Sequence, residues 1–185
     1  MNLNSFEKYI SRVYSSLDRV QVTSIESALG VILKTAENDC NIWIVGNGGS
    51  SATSSHFATD LSRCSSKNGK PIKAISLCDN SGLITAVGND FSFEEIFVKQ
   101  LQKLGGKGDL LISISASGNS INLIKAIEFA KVSSIFTLSL VGFDGGTLKK
   151  LSDNSIHVQT DIGDYGVAED CHSIICHQIS SMLRG

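Results

Sequence analysis

One proline in 185 residues leaves little to interrupt regular structure, and 17 glycines suit short turns between elements. No apolar run approaches the roughly 20 residues a membrane helix requires, and the N-terminus lacks a signal-peptide pattern. A cytoplasmic protein with no membrane partner is therefore expected. Neither charge sign dominates: the formal net charge is −2, which gives no electrostatic case for nucleic acid or an anionic membrane as the main partner. CxxC spacing is missing too. The five cysteines (Cys40, Cys64, Cys78, Cys171, Cys176) are an odd number, which points to buried thiols rather than disulfides or a zinc knuckle. Internal repeats, low-complexity tracts and linkers are also absent, and the length fits one domain, residues 1–185.

What is present centres on Gly46-Asn47-Gly48-Gly49-Ser50-Ser51. The stretch before it, Ile42-Trp43-Ile44-Val45, is short, apolar and β-branched, as a buried strand should be. After it, Ala52 to Arg63 reads as a helix with His56 and Asp60 on one face. A strand, a glycine-rich turn and a helix N-terminus make an anion site, because glycine lets backbone N–H groups approach the ligand. A βα turn that binds nothing is the plain alternative. A dinucleotide fingerprint would need glycine where Ser51 stands, although Asp79 supplies an acidic residue after the next strand. The nucleotide P-loop needs a lysine, and the turn has none. A smaller phosphorylated ligand remains.

Residues 1–38 hold two helical patterns, one through Leu3, Phe6, Tyr9, Ile10 and Val13, the other through Ile25, Leu29, Ile32 and Leu33. Thr23 with Glu26 fits a capping box for the second. Neither belongs to a βα repeat, so both are expected to pack on the sheet or on another subunit. From residue 40 to 183 strands and helices alternate. Strands are expected at Lys73 to Leu77, Leu110 to Ile114, Ile135 to Val141 and Ile156 to Val158. Helices are expected at Asn80 to Val87, Phe93 to Leu104, 121–131 and Ala168 to Leu183. Such alternation implies a parallel sheet covered on both faces, with ligands at the carboxyl ends of the strands.

A second loop repeats the theme. Ser115-Ala116-Ser117-Gly118-Asn119-Ser120 joins a strand's end to a helix's start, with three hydroxyls and a glycine. Helix capping accounts for one serine, not three, so a phosphate cradle without lysine is favoured.

Two such turns on one sheet resemble the sugar isomerase (SIS) family of phosphosugar-binding domains, and within it the bacterial sedoheptulose 7-phosphate isomerases. The likeness rests on Gly46-Asn47-Gly48-Gly49-Ser50 with His56-Phe57-Ala58, on Ala86-Val87-Gly88-Asn89-Asp90, on the serine loop, and on His172 and His177. It implies an α/β, flavodoxin-like three-layer sandwich with a five-stranded parallel sheet, in a homotetramer with active sites between subunits. It also implies phosphate held by Ser115, Ala116, Ser117 and Ser120, and sugar contacts from Asn47, Gly48, Gly49, Ser50, Asn89 and Asp90. The family's zinc and proton-transfer positions, one ion per site, fall on His56, Asp60, Glu169 and His177. Heptose isomerases carry glutamate where Asp60 stands, glutamine where Glu169 stands and threonine where Ala116 stands.

Asp60 keeps a carboxylate but shortens it, while Glu169 adds one. The base is therefore Asp60 or Glu169, with His177 the second proton-transfer group. Glu169 and His177 lie about 12 Å apart along a straight helix, so one ion takes both only if Glu169 precedes the helix or another subunit supplies a ligand. Of His172 and His177, five residues apart, one is expected to pack and the other to function. His157 is expected to be structural, and Asn89-Asp90 also fits a plain turn. The expectation is a ketose–aldose isomerase acting on a sugar phosphate, most simply sedoheptulose 7-phosphate, for the heptoses of surface polysaccharides. The rival is a non-catalytic SIS protein that binds a phosphosugar or another protein and regulates it.

Overall fold

The computed structural model describes residues 3–184, with side chains from Ser5 onward, so the expected apolar role of Leu3 lies outside the described side chains. Five strands form one parallel sheet: β1 (Asn41–Gly46), β2 (Lys73–Ser76), β3 (Leu110–Ser115), β4 (Phe136–Val141) and β5 (Asn154–His157). Their order is β2-β1-β3-β4-β5. Because β1 has β2 on one side and β3 on the other, the direction of winding reverses between β1 and β3. The loops leaving those two strands open at the switch point of a flavodoxin-like sheet.

Eight α-helices accompany the strands among the described residues: α1 (Leu3–Asp18), α2 (Val22–Glu37), α3 (Gly49–Ser62), α4 (Ser81–Asp90), α5 (Val98–Leu104), α6 (Ile121–Val132), α7 (Gly146–Leu151) and α8 (Tyr165–Arg184). Alternating side chains of the strands feed two cores. On one face Ile42, Ile44, Ile112 and Leu140 meet α2, α3 and α8, and on the other Trp43, Val45 and Leu111 meet α5 and α6. Burial on both faces explains why these strands read as nearly unbroken apolar runs.

Several boundaries differ from the sequence expectation, each for a local reason. Helix α3 starts at Gly49, three residues earlier than expected, so Gly49, Ser50 and Ser51 form its first turn. The predicted helix over residues 93–104 is broken: a 3-10 turn spans Phe93–Glu95, and α5 begins only at Val98. Helix α2 starts at Val22, which puts Thr23 inside the first turn, and no side chain caps it. The Thr23–Glu26 capping box is therefore not formed. Helix α8 begins at Tyr165, so Glu169 lies within the helix and does not precede it.

The N-terminal helices divide between the two expected roles. Helix α2 buries Ala28, Ile32 and Ala36 against the sheet. Helix α1 buries Val13, and Tyr9 Oη donates to Asp170 Oδ2 of α8 at 2.6 Å. The same helix leaves Phe6, Ile10 and Tyr14 exposed as a stripe four residues apart.

Candidate functional site

The two loops predicted to bind a phosphosugar meet at one pocket. Asn47 and Ser50 from the β1–α3 turn face Ser115, Ala116, Ser117 and Ser120 from the β3–α6 loop, with Tyr165 and Glu169 of α8 closing the side. Both loops leave strand ends and enter helices, so the N-termini of α3 and α6 bring partial positive charge to the pocket.

Hydrogen bonds set the loop geometry. Ser115 Oγ accepts from the Gly118 N–H at 3.0 Å, and Ser117 Oγ from the Asn119 N–H at 3.3 Å. Ser120 stands at the N-cap of α6 but makes no side-chain capping bond, so capping does not account for its hydroxyl. Gly118 needs its φ of +64°, and a Cβ there would strike the Gly145 backbone.

Asn47 has a partner that sequence reasoning missed. Its amide exchanges two hydrogen bonds with the buried Asn122 amide, each of 2.9 Å, which pins the glycine turn to the start of α6. The one available signal was an asparagine in the first turn of a helix, and that is common. Asp79, the acidic residue a dinucleotide ribose would use, accepts a hydrogen bond from Ser55 of α3.

Glu169 sits beside the glycine turn. A Cβ built on Gly49 would lie 2.6 Å from Glu169 Cδ, so only glycine lets the carboxylate rest against the first turn of α3.

A second cluster lies along the seam between α3 and α8. The ligand atoms of His56, Asp60 and His177 all lie within 4.8 Å of one another. The rings of His56 and His177 meet edge to face with centroids 4.9 Å apart. His56 Nε2 stands 3.8 Å from Asp60 Oδ2, one helical turn away. Arg184 Nη2 donates to Asp60 Oδ1 at 2.6 Å, a second partnership the sequence did not reveal. Two imidazoles and a carboxylate are donors that suit zinc, and three protein ligands leave coordination open for substrate oxygen. The convergence of these three fits the ion.

Glu169 does not join them within one chain. It lies eight residues before His177 on the unbroken α8, and Ser173, midway between, bonds Thr53 Oγ1 of α3 at 3.3 Å. Asn89 and Asp90 end α4 on the surface, Asn89 Nδ2 donating to Asp90 Oδ1 at 2.9 Å, and they do not line the pocket. Gly48 caps α3 with a φ of +55° and is exposed. His172 is fully buried, and His157 Nε2 lies 3.0 Å from the Phe143 carbonyl, bracing β5. The five cysteines are free; Cys64, Cys171 and Cys176 are buried as expected, whereas Cys40 and Cys78 are only half-buried. A roomier cavity than the serine-loop pocket lies at the opposite, amino-terminal ends of the strands, among Val31, Lys34, Ile135 and Phe136, and contains none of these groups.

A parallel sheet in this order, with serine and glycine loops at its switch point, is the architecture of the SIS domain. The chain belongs to that family, whose pattern matches residues 5–142. Within the family it is similar to phosphoheptose isomerases. It is 40% identical over 169 residues to the phosphoheptose isomerase of Helicobacter pylori (strain P12), covering 91% of this chain and 86% of that protein. Against the Aliarcobacter butzleri (strain RM4018) phosphoheptose isomerase the identity is 34% over 159 residues, 86% and 83% of the two chains. The solved structure of a phosphoheptose isomerase from Francisella tularensis superposes with a TM-score of 0.87 at 29% identity, covering 98% of this chain and 95% of that one.

Proposed function

We propose that this chain is a sugar-phosphate isomerase that interconverts sedoheptulose 7-phosphate and the corresponding aldose phosphate. The observation that supports it best is the pocket where Asn47 and Ser50 of the glycine turn face Ser115, Ser117 and Ser120, with Glu169 at its side. Phosphate binds to the serine hydroxyls and loop N–H groups, and the sugar's reacting end extends toward the Glu169 carboxylate.

Moving a carbonyl from C2 to C1 takes a proton from C1 and returns one to C2 through an enediolate. Glu169 accepts and returns the carbon-bound proton, because its carboxylate lines the pocket. His177 would move protons between the substrate oxygens when its ring is not bound to an ion. His56, Asp60 and His177 would hold the zinc ion; because Glu169 does not join them within one chain, the cluster of a neighbouring chain would bring the ion's positive charge to the developing enediolate. Asn47, held by Asn122, orients the glycine turn so that Gly48, Gly49 and Ser50 present backbone to the sugar. Asn89 and Asp90 reach a sugar from a neighbouring subunit of a homotetramer. The setting is a cytoplasmic route to surface-polysaccharide heptoses.

A regulator that only binds phosphosugar is the rival reading. It needs the serine loop but has no use for the convergence of His56, Asp60 and His177. The test is incubation of the zinc-loaded protein with a series of ketose phosphates, following aldose formation. Turnover of sedoheptulose 7-phosphate is expected; tight binding without turnover of any member would favour the regulator.

A further inference from the structure

We infer that Arg184 is a positioning residue for the His56–Asp60–His177 cluster, holding one oxygen of Asp60 so that the other is presented to the histidines. The inference rests on the reading of that cluster as the metal site. Arg184 lies seven residues after His177 on α8, two turns on, so both emerge from the same face of the helix. Its guanidinium bonds Asp60 Oδ1 at 2.6 Å, while Asp60 Oδ2 faces His56 Nε2 at 3.8 Å. The two oxygens are thereby divided between two tasks.

A carboxylate on its terminal sp³–sp² torsion turns in a broad, two-fold well, so an unanchored aspartate presents either oxygen or both. Asp60 is short, which leaves little reach to correct a poor orientation. An arginine is the right anchor, since it stays charged at any working pH and donates along a fixed direction. Its charge also opposes a nearby cation. That repulsion is screened, because the Arg184 side chain is 45% exposed and opens to solvent. Hydrogen-bond partners that orient a metal ligand typically change metal affinity by about 10–100-fold, and this effect outweighs the screened repulsion.

The experiment is zinc competition against a chromophoric chelator, using the full chain and the variants R184A, R184K and K34A. R184A should weaken zinc binding about 10–100-fold, and R184K should recover part of the loss by restoring a donor and a charge. K34A removes a charge elsewhere and should bind like the parent. Cobalt(II) in place of zinc should give a changed visible spectrum in R184A, which a loss of bulk charge alone would not produce. Unaltered or tighter zinc binding by R184A overturns the inference, the tighter result meaning that Arg184 competes with the ion. Failure of the parent chain to bind zinc at all overturns the metal reading beneath it. Far-UV circular dichroism checks that α8 persists in each variant.

Discussion

Two carboxylates compete for the role of base, and their neighbours separate them. Asp60 has one oxygen bonded to Arg184 and the other turned toward His56, whereas Glu169 faces the serine loop. Asp60 therefore has both oxygens already engaged, whereas the Glu169 side chain lines the pocket where substrate would sit. Glu169→Gln should therefore lower kcat by about 10²–10⁴-fold with zinc affinity retained. Asp60→Asn should act mainly through weaker zinc binding. Steady-state kinetics with metal titrations separates the two, and the opposite pattern would return the base to Asp60. His172 gives a different residue-scale expectation. It is fully buried, neither ring nitrogen has a hydrogen-bond partner among the described residues, and burial pushes its pKa down to about 4. The unfolded chain takes up this proton near pH 6.5, but the folded chain refuses it until about 4. Stability should accordingly fall as pH drops through that window, by up to on the order of 3 kcal/mol from this group. An NMR titration in which His172 charges at an ordinary pH would contradict the assignment.

At the scale of elements, two glycines that look alike in sequence do different work. A Cβ at Gly118 meets the Gly145 backbone and requires a positive φ, so Gly118→Ala should distort the serine loop and cost about 1–3 kcal/mol of stability. A Cβ at Gly49 meets only the mobile end of Glu169, and Gly49 has an ordinary helical backbone. Gly49→Ala should keep its unfolding midpoint yet lose activity, because the carboxylate is pushed away from the pocket. Urea unfolding and turnover measured on both variants check this contrast. Equal activity in Gly49→Ala and the parent would show that the position of Glu169 beside α3 is unimportant.

For the whole molecule, the pressing feature is the stripe of Phe6, Ile10 and Tyr14 on α1, exposed by 65%, 49% and 70%. The opposite side of the helix is already used against α8, so the stripe is surplus to the fold of one chain. In the proposed homotetramer, covering the stripe would remove apolar surface from water, and the proposal has Asn89 and Asp90 of one chain reach the pocket of another. Light scattering at micromolar concentration should give about four times 19.7 kDa, and Ile10→Asp should lower that mass. A parent chain that runs as a monomer would count against shared sites.

The strands, the parallel sheet and the two phosphate-type turns were legible in the sequence, because each is written in neighbouring residues. A β-branched run followed by Gly46-Asn47-Gly48-Gly49, or by Ser115 to Ser120, specifies strand, turn and helix start within about a dozen positions. The pairing of His56 with Asp60 was legible for the same reason, since one helical turn brings them together. Tertiary structure alone decided that Asn47 spends its amide on Asn122, that Arg184 holds Asp60 across 124 residues, and that Glu169 joins the serine loop rather than His177. It also decided that α1 turns Tyr9 and Val13 inward while Phe6 and Ile10 face out. Helical periodicity says which residues share a face, but only the packing of α3, α6 and α8 against the sheet determines what each face meets.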